Sequence, residues 1–251
     1  TEDRLARFAA YGWHTLSVAD GHDVEAIDWA IQQAKADPRP SLIAVRTVIG
    51  YGLPTRQGTE KAHGEPPGDE ELNKAKQNLG WPVEPRFFVP EDVLNFFRQA
   101  VVRGEQLESE WKVKLEHYRA SYPELAAELE RRLNAVLPAN WGQDLPEFPA
   151  DAKGMATRAA SGKVLNALAA RIPELIGGSA DLTPSNLTWI NGSPSFQADC
   201  PQGRNLHFGV REHAMGAILN GMALHGGIIP YGGTFLVFSD YMRPAIRLAA
   251  L

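Results

Sequence analysis

The sequence is poor in three things: cysteine, long apolar runs and positive charge. Cys200 is the only cysteine in 251 residues. No intramolecular disulfide can form, and the chain suits a reducing compartment such as the cytoplasm. No apolar run approaches the ~20 residues needed to span a bilayer. The N-terminal run TEDRLARFAAYGW has neither an apolar signal core nor an initiator Met. A formal net charge of −5 gives no reason to expect nucleic acid or an acidic membrane as partner. A local basic pocket for an anionic metabolite stays compatible with it. What remains is an ordinary globular composition, 44% hydrophobic and 22% charged. The length suits one large domain or two modest ones. The chain stops at Leu251 inside an apolar, helix-favouring stretch without a capping residue, so it reads as a piece of a longer polypeptide.

Three stretches separate along the chain. The first reads as the end of an α/β unit. Val24, Ile27 and Ile31 fall at helical spacing behind Asp23, a suitable N-cap, and Pro38 and Pro40 end the helix. Ser41 to Val48 is rich in β-branched residues and predicts a buried strand, hence a parallel sheet. A long Gly- and Pro-rich loop follows. The second stretch is helical and charged. Trp111, Leu115 and Tyr118, and then Leu125, Leu129 and Leu133, each make one apolar stripe on a solvated helix. Leu137 to Ala150 reads as an ordered linker. In the third stretch a helix (Thr157 to Ala170) leads to a short strand (Leu175 to Gly178) and a long polar loop. Glu212 to Leu224 is almost all apolar and predicts a buried helix, stopped by Gly226 and Gly227. A strand over Ile228 to Phe235 follows, with Ser239 or Asp240 available to cap the last helix.

Four strings carry chemistry. In GYGLPTRQGTEKAHGEPPG, His63 lies between glycine-rich turns beyond a strand, where α/β ligands bind. It reads equally as an exposed loop histidine. GGSADLTPSNLT is a hydroxyl-rich turn that can donate to a phosphate or cap its own backbone. Arg158, at the start of the preceding helix, could clamp a phosphate or simply face solvent. In FGVREHAM, Glu212 opens the apolar helix. It is either a capping acid or a carboxylate tuned for catalysis by its surroundings. Phe235, Phe238 and Tyr241 recur every three residues and form either a core patch or a stacking surface for a flat ring.

Together the strings IGYGLP…GT…HGEPPG, GGSADLTPSNLT, FGVREHAM and HGGIIPYGGTFLVFSDYMRPAIRLAAL resemble transketolase, in the family's order and approximate spacing. The resemblance implies an α/β fold with incomplete parallel-sheet layers of two thiamine diphosphate-binding-type domains, joined by a helical linker. Residues 1–62 would end the diphosphate-binding domain, 63–152 form loop and linker, and 153–251 begin the pyrimidine-binding domain. It implies two-carbon ketol transfer from a ketose phosphate to an aldose phosphate by a homodimer. The cofactors would be thiamine diphosphate and Mg2+ or Ca2+. Residue by residue, Glu212 matches the glutamate that hydrogen-bonds N1′ of the aminopyrimidine and assists deprotonation at C2. His63 matches the histidine near the cofactor diphosphate and the donor sugar. Arg158 and Ser185 match residues that hold the substrate phosphate, and Phe238 the ring packed on the pyrimidine. The family's Gly-Asp-Gly…Asn metal motif is missing from this stretch, so the expected metal ligands lie outside it and the chain alone is expected to be inactive. A dihydroxyacetone synthase-like enzyme shares most of these strings. A truncated chain that only dimerises or binds a partner is the non-catalytic alternative.

Overall fold

The computed structural model describes residues 2–251, which divide into two compact units, one running up to Ala100 and the other from Val101 to Leu251.

In the first unit, α1 (Arg4–Ala10) leads to β1 (His14–Val18), α2 (Val24–Ala36) and β2 (Ser41–Val45). The two strands pair in parallel, His14 opposite Ser41 through Val18 opposite Val45. A parallel pair needs a crossover, and α2 supplies it. Asp23 caps α2 as expected, its side chain accepting from the Ala26 N–H at 2.9 Å. The strand ends earlier than its β-branched run suggests, and Ser41 to Ala44 are half-buried and Val45 exposed rather than fully covered. The Gly- and Pro-rich stretch contains a 3₁₀ turn at Glu60–Ala62 and closes in α3 (Asp69–Asn78). Three acidic residues in the first turn of α3 suit the positive end of its dipole.

The long helix α4 (Glu91–Ser121) has no buried residue, and Trp111 is 55% exposed. In the second unit, Pro123 sits at the start of α5 (Pro123–Leu133), where its missing N–H costs nothing. The segment between α5 and α6 (Thr157–Arg171) is irregular, as a linker should be, and Asp144 within it pairs with Arg171. Next come β3 (Leu175–Ser179), the short α7 (Thr183–Asn186), β4 (Asn205–His207), α8 (Glu212–His225), β5 (Ile229–Gly233) and α9 (Arg243–Ala250). The sheet order is β4-β3-β5, parallel throughout. Ala169, Ile172, Leu175 and Ile190 form one core cluster, and Ala180, Phe208 and Met215 form another.

Two expectations need correction here. α8 is buried on one face only. Glu212, Met215 and Gly216 are covered, whereas Ile218 is 48% and Leu224 89% exposed. Apolar composition signals that a helix wants cover, but it does not supply the covering element. The second correction concerns the last helix. Neither Ser239 nor Asp240 caps it, because Leu236–Met242 is a 3₁₀ stretch and α9 begins only at Arg243. The Ser239 hydroxyl donates instead to the Leu236 carbonyl at 2.6 Å.

Candidate active site

The site in the second unit is built at the C-terminal ends of the parallel strands, where ligands of α/β sheets bind. Glu212 opens α8 and is 7% exposed. The chain reaches it through Gly209, at φ +68°, over which the Arg211 guanidinium folds back. An added Cβ there would lie 2.2 Å from Arg211 Nη1. That guanidinium donates to the Phe208 carbonyl at 3.0 Å rather than to Glu212. Among the described residues, the one side-chain hydrogen bond to Glu212 comes from Thr234 Oγ1, 3.3 Å from Oε1. His213, its sequence neighbour, faces solvent.

The aromatic trio follows β5, Phe235 immediately before the 3₁₀ stretch and Phe238 and Tyr241 on it. Phe235 and Phe238 stack with centroids 5.9 Å apart and 24° between planes; Phe238 and Tyr241 stack at 6.0 Å and 30°. A 3₁₀ helix turns once every three residues, so side chains at i and i+3 eclipse. The three-residue spacing therefore makes a ladder of rings. It is not a core patch: Phe235 is 36% and Tyr241 66% exposed, and Phe238 is half-buried. The ladder is held against α8 by a close helix approach. A Cβ on Gly216 would lie 2.8 Å from Ala245 Cβ and 3.0 Å from Met242 Cε, and Asn220 donates to the Ala245 carbonyl at 2.9 Å.

An open cavity of about 860 Å³ lies between α6 and β5, lined in part by Arg158, Ser161, Asn186, Tyr231, Thr234 and Phe235. Arg158 thus shares a wall with the first ring of the ladder. Ser185 is exposed on α7 and lines neither this cavity nor the second one. That second cavity, of about 830 Å³, carries Lys163, Asp181, Trp189 and His207 on its walls. Tyr231 anchors the first cavity's rim by donating to the Thr188 carbonyl at 2.8 Å, and burial pushes its phenol up to about 12.

His63 belongs to the first unit. It follows the 3₁₀ turn, its N–H bonded to the Glu60 carbonyl at 2.9 Å, and its ring is exposed next to Gly64 at φ +78°. Among the described residues no group of three or more His, Cys, Asp or Glu side chains is arranged to hold a metal ion. Among the described residues no helix is long and apolar enough to cross a membrane. Thr234 was not singled out in the sequence. Ser179 and Asn186 belong to the hydroxyl-rich turn, and of its two readings they follow the second, bonding within the chain's own loop and strand ends.

Comparison with known proteins gives two family matches that divide the chain. Residues 1–138 match "Transketolase, thiamine diphosphate binding domain", and residues 153–251 match "Transketolase, pyrimidine binding domain". The chain belongs to the transketolase family. It is 54% identical over 254 residues to a transketolase of Nostoc sp. and 52% over 251 residues to one of Aquifex aeolicus. Both alignments cover all of this chain but only 38% and 36% of those relatives. Among solved structures, transketolase from Leishmania mexicana matches with a TM-score of 0.91 at 40% identity, covering all of this chain and 37% of that one. Transketolase of Pichia stipitis in complex with sedoheptulose 7-phosphate matches at 0.89 and 43%, covering all of this chain and 38% of that one. The chain thus spans little more than a third of the length of these relatives, and its mixed α/β fold with short parallel sheets is that of transketolase cofactor-binding domains. The donor set fits the pyrimidine half of thiamine diphosphate: a buried carboxylate at a helix start for a ring nitrogen, and an exposed ladder of rings for a flat heterocycle.

Proposed function

We propose that this chain contributes the pyrimidine-binding half, and the end of the diphosphate-binding half, of a transketolase. The reaction is thiamine diphosphate-dependent transfer of a two-carbon ketol unit between sugar phosphates, as in the pentose phosphate pathway. The observation that carries this reading is the buried Glu212 carboxylate beside the stacked Phe235, Phe238 and Tyr241. It occurs in a chain related over its whole length to transketolases.

Thiamine diphosphate, when bound, supplies the acidic C2 position and the electron sink for cleaving the ketose. The chain's own residues bind and orient. Glu212 would hold a proton at N1′ of the aminopyrimidine, and burial at a helix N-terminus supports an acid that is fixed rather than mobile. Phe238 would pack on the pyrimidine, with Phe235 and Tyr241 extending the apolar wall. His63 would face the cofactor diphosphate and the donor sugar. Arg158 and Ser185 would take the substrate phosphate, for which a guanidinium fork is well matched. Residues 1–62, 63–152 and 153–251 would serve as the end of one domain, the linker and the start of the next. Mg2+ or Ca2+ would be held by residues beyond this chain. The enzyme would be a cytoplasmic homodimer. The uncovered apolar face of α8, with Ile218 and Leu224, supports association with a second subunit.

Glu212→Gln in the full-length holoenzyme tests the reading. The substitution keeps the shape and removes the acid, so exchange of the cofactor C2 proton should slow by about 100-fold or more. Exchange at the parental rate would overturn it.

A further inference from the structure

Glu212 is the group on which the proposed function turns, yet among the described residues no cationic side chain bonds to it. What touches it is the hydroxyl of Thr234, and the position of Thr234 is set by a buried brace between the ends of β3 and β5. The Gly233 carbonyl accepts from Ser179 Oγ at 2.9 Å and from the Ala180 N–H at 3.2 Å. Ser179, 1% exposed, accepts in turn from Asn186 Nδ2 at 2.7 Å and from the Leu182 N–H at 3.2 Å. Asn186 Oδ1 accepts from Thr188 Oγ1 at 2.8 Å. The single Ser179 proton is committed to Gly233, and both its lone pairs are occupied, so the hydroxyl has one orientation. A fully satisfied buried network of this kind specifies one geometry. Here it fixes the peptide that leads directly into Thr234.

We infer that Thr234 is a positioning residue for Glu212, and that Ser179 and Asn186 hold Thr234 in register. The inference rests on the proposed function above. A glutamate has several rotatable bonds. Without a partner, its carboxylate would sample orientations that miss the pyrimidine nitrogen. A hydroxyl donor on Oε1 restricts that sampling and leaves Oε2 to meet the ligand. The 3.3 Å separation exceeds the usual ~2.7 Å for O–H···O contacts. Contacts of this kind shorten when a ligand completes the site.

The test uses the full-length holoenzyme with Thr234→Val, which is nearly isosteric and lacks the hydroxyl, and Thr234→Ser, which restores it. Glu212→Gln runs in parallel. The readouts are C2-proton exchange of bound thiamine diphosphate, kcat, sugar-phosphate KM and cofactor affinity. Thr234→Val should slow exchange and lower kcat roughly 10-fold, since small misplacements of a reacting group cost up to about 100-fold. KM and cofactor affinity should stay within about twofold of the parent, and Thr234→Ser should recover most of the rate. If Glu212→Gln slows exchange while Thr234→Val does not, the role of Thr234 is refuted and the function stands. Equal losses in the Val and Ser variants would also refute it, because the hydroxyl would then be irrelevant. Parental exchange in Glu212→Gln would remove the functional reading itself, and this inference with it.

Discussion

Arg131 and Glu174 show how one residue pair ties the linker to the sheet. Arg131 Nη1 and Nη2 grip the two Glu174 oxygens at 2.7 and 2.8 Å, while Nε and Nη2 reach Glu128 at 2.9 Å. The Glu174 side chain is only 4% exposed, and its charge is held chiefly by this partner, with Arg132 Nε 4.0 Å from Oε2 as a weaker second. Hydrogen bonds from Arg131 hold Glu174 below the usual carboxylate range and bring Glu128 down to about 2. The sign follows: depressed carboxylates stabilise the fold above their ordinary value near 4.3, and that contribution is lost as pH falls toward 2. Arg131→Met leaves the buried Glu174 charge with only the longer Arg132 contact and should cost about 3 kcal/mol at pH 7. In urea unfolding, the deficit should narrow near pH 3, where protonation neutralises Glu174. A deficit unchanged by pH would mean that lost packing, not the charge pair, is responsible.

At the level of elements, the decisive contact is the approach of α9 and the 3₁₀ stretch to α8 through Gly216. It sets how the aromatic ladder stands beside the helix that Glu212 opens. Gly216→Ala inserts a methyl group into a gap that has no room for it. Overpacking of this sort costs typically about 1–3 kcal/mol. We expect a lower melting temperature and weaker thiamine diphosphate binding, with the chemical rate at saturating cofactor much less affected. Cofactor titration followed by fluorescence or calorimetry would detect this. The elements were unevenly legible in the sequence. The Asp23 cap, the start of α8 at Glu212 and its Gly226 stop could all be read, because local chemistry determines them. β4 could not, since Asn-Leu-His has no strand pattern. Its Asn205 holds the long loop by accepting from the Ile190 N–H and donating to the Ile190 and Ser193 carbonyls, partners that are distant in sequence. β1 and α3 were likewise unread: β1 is only five residues long, and α3 follows a Gly- and Pro-rich loop with few apolar residues to show a helical stripe.

For the molecule as a whole, the candidate site was half legible. Glu212 and the aromatic repeat were visible as oddities of pattern. The brace of Ser179, Asn186 and Thr234 was not, because it joins two strand ends separated by 54 residues. The exposed side of α8 could not be foreseen either, since the sequence says how apolar a helix is and not what covers it. That helix carries Glu212 on its covered side and bare Ile218 and Leu224 elsewhere. In the proposed dimer, one element would serve both association and chemistry, so the site would obey mass action. Diluting the enzyme toward the dimer dissociation constant should then act like an inhibitor: specific activity falls with protein concentration, and added thiamine diphosphate restores it by drawing subunits together.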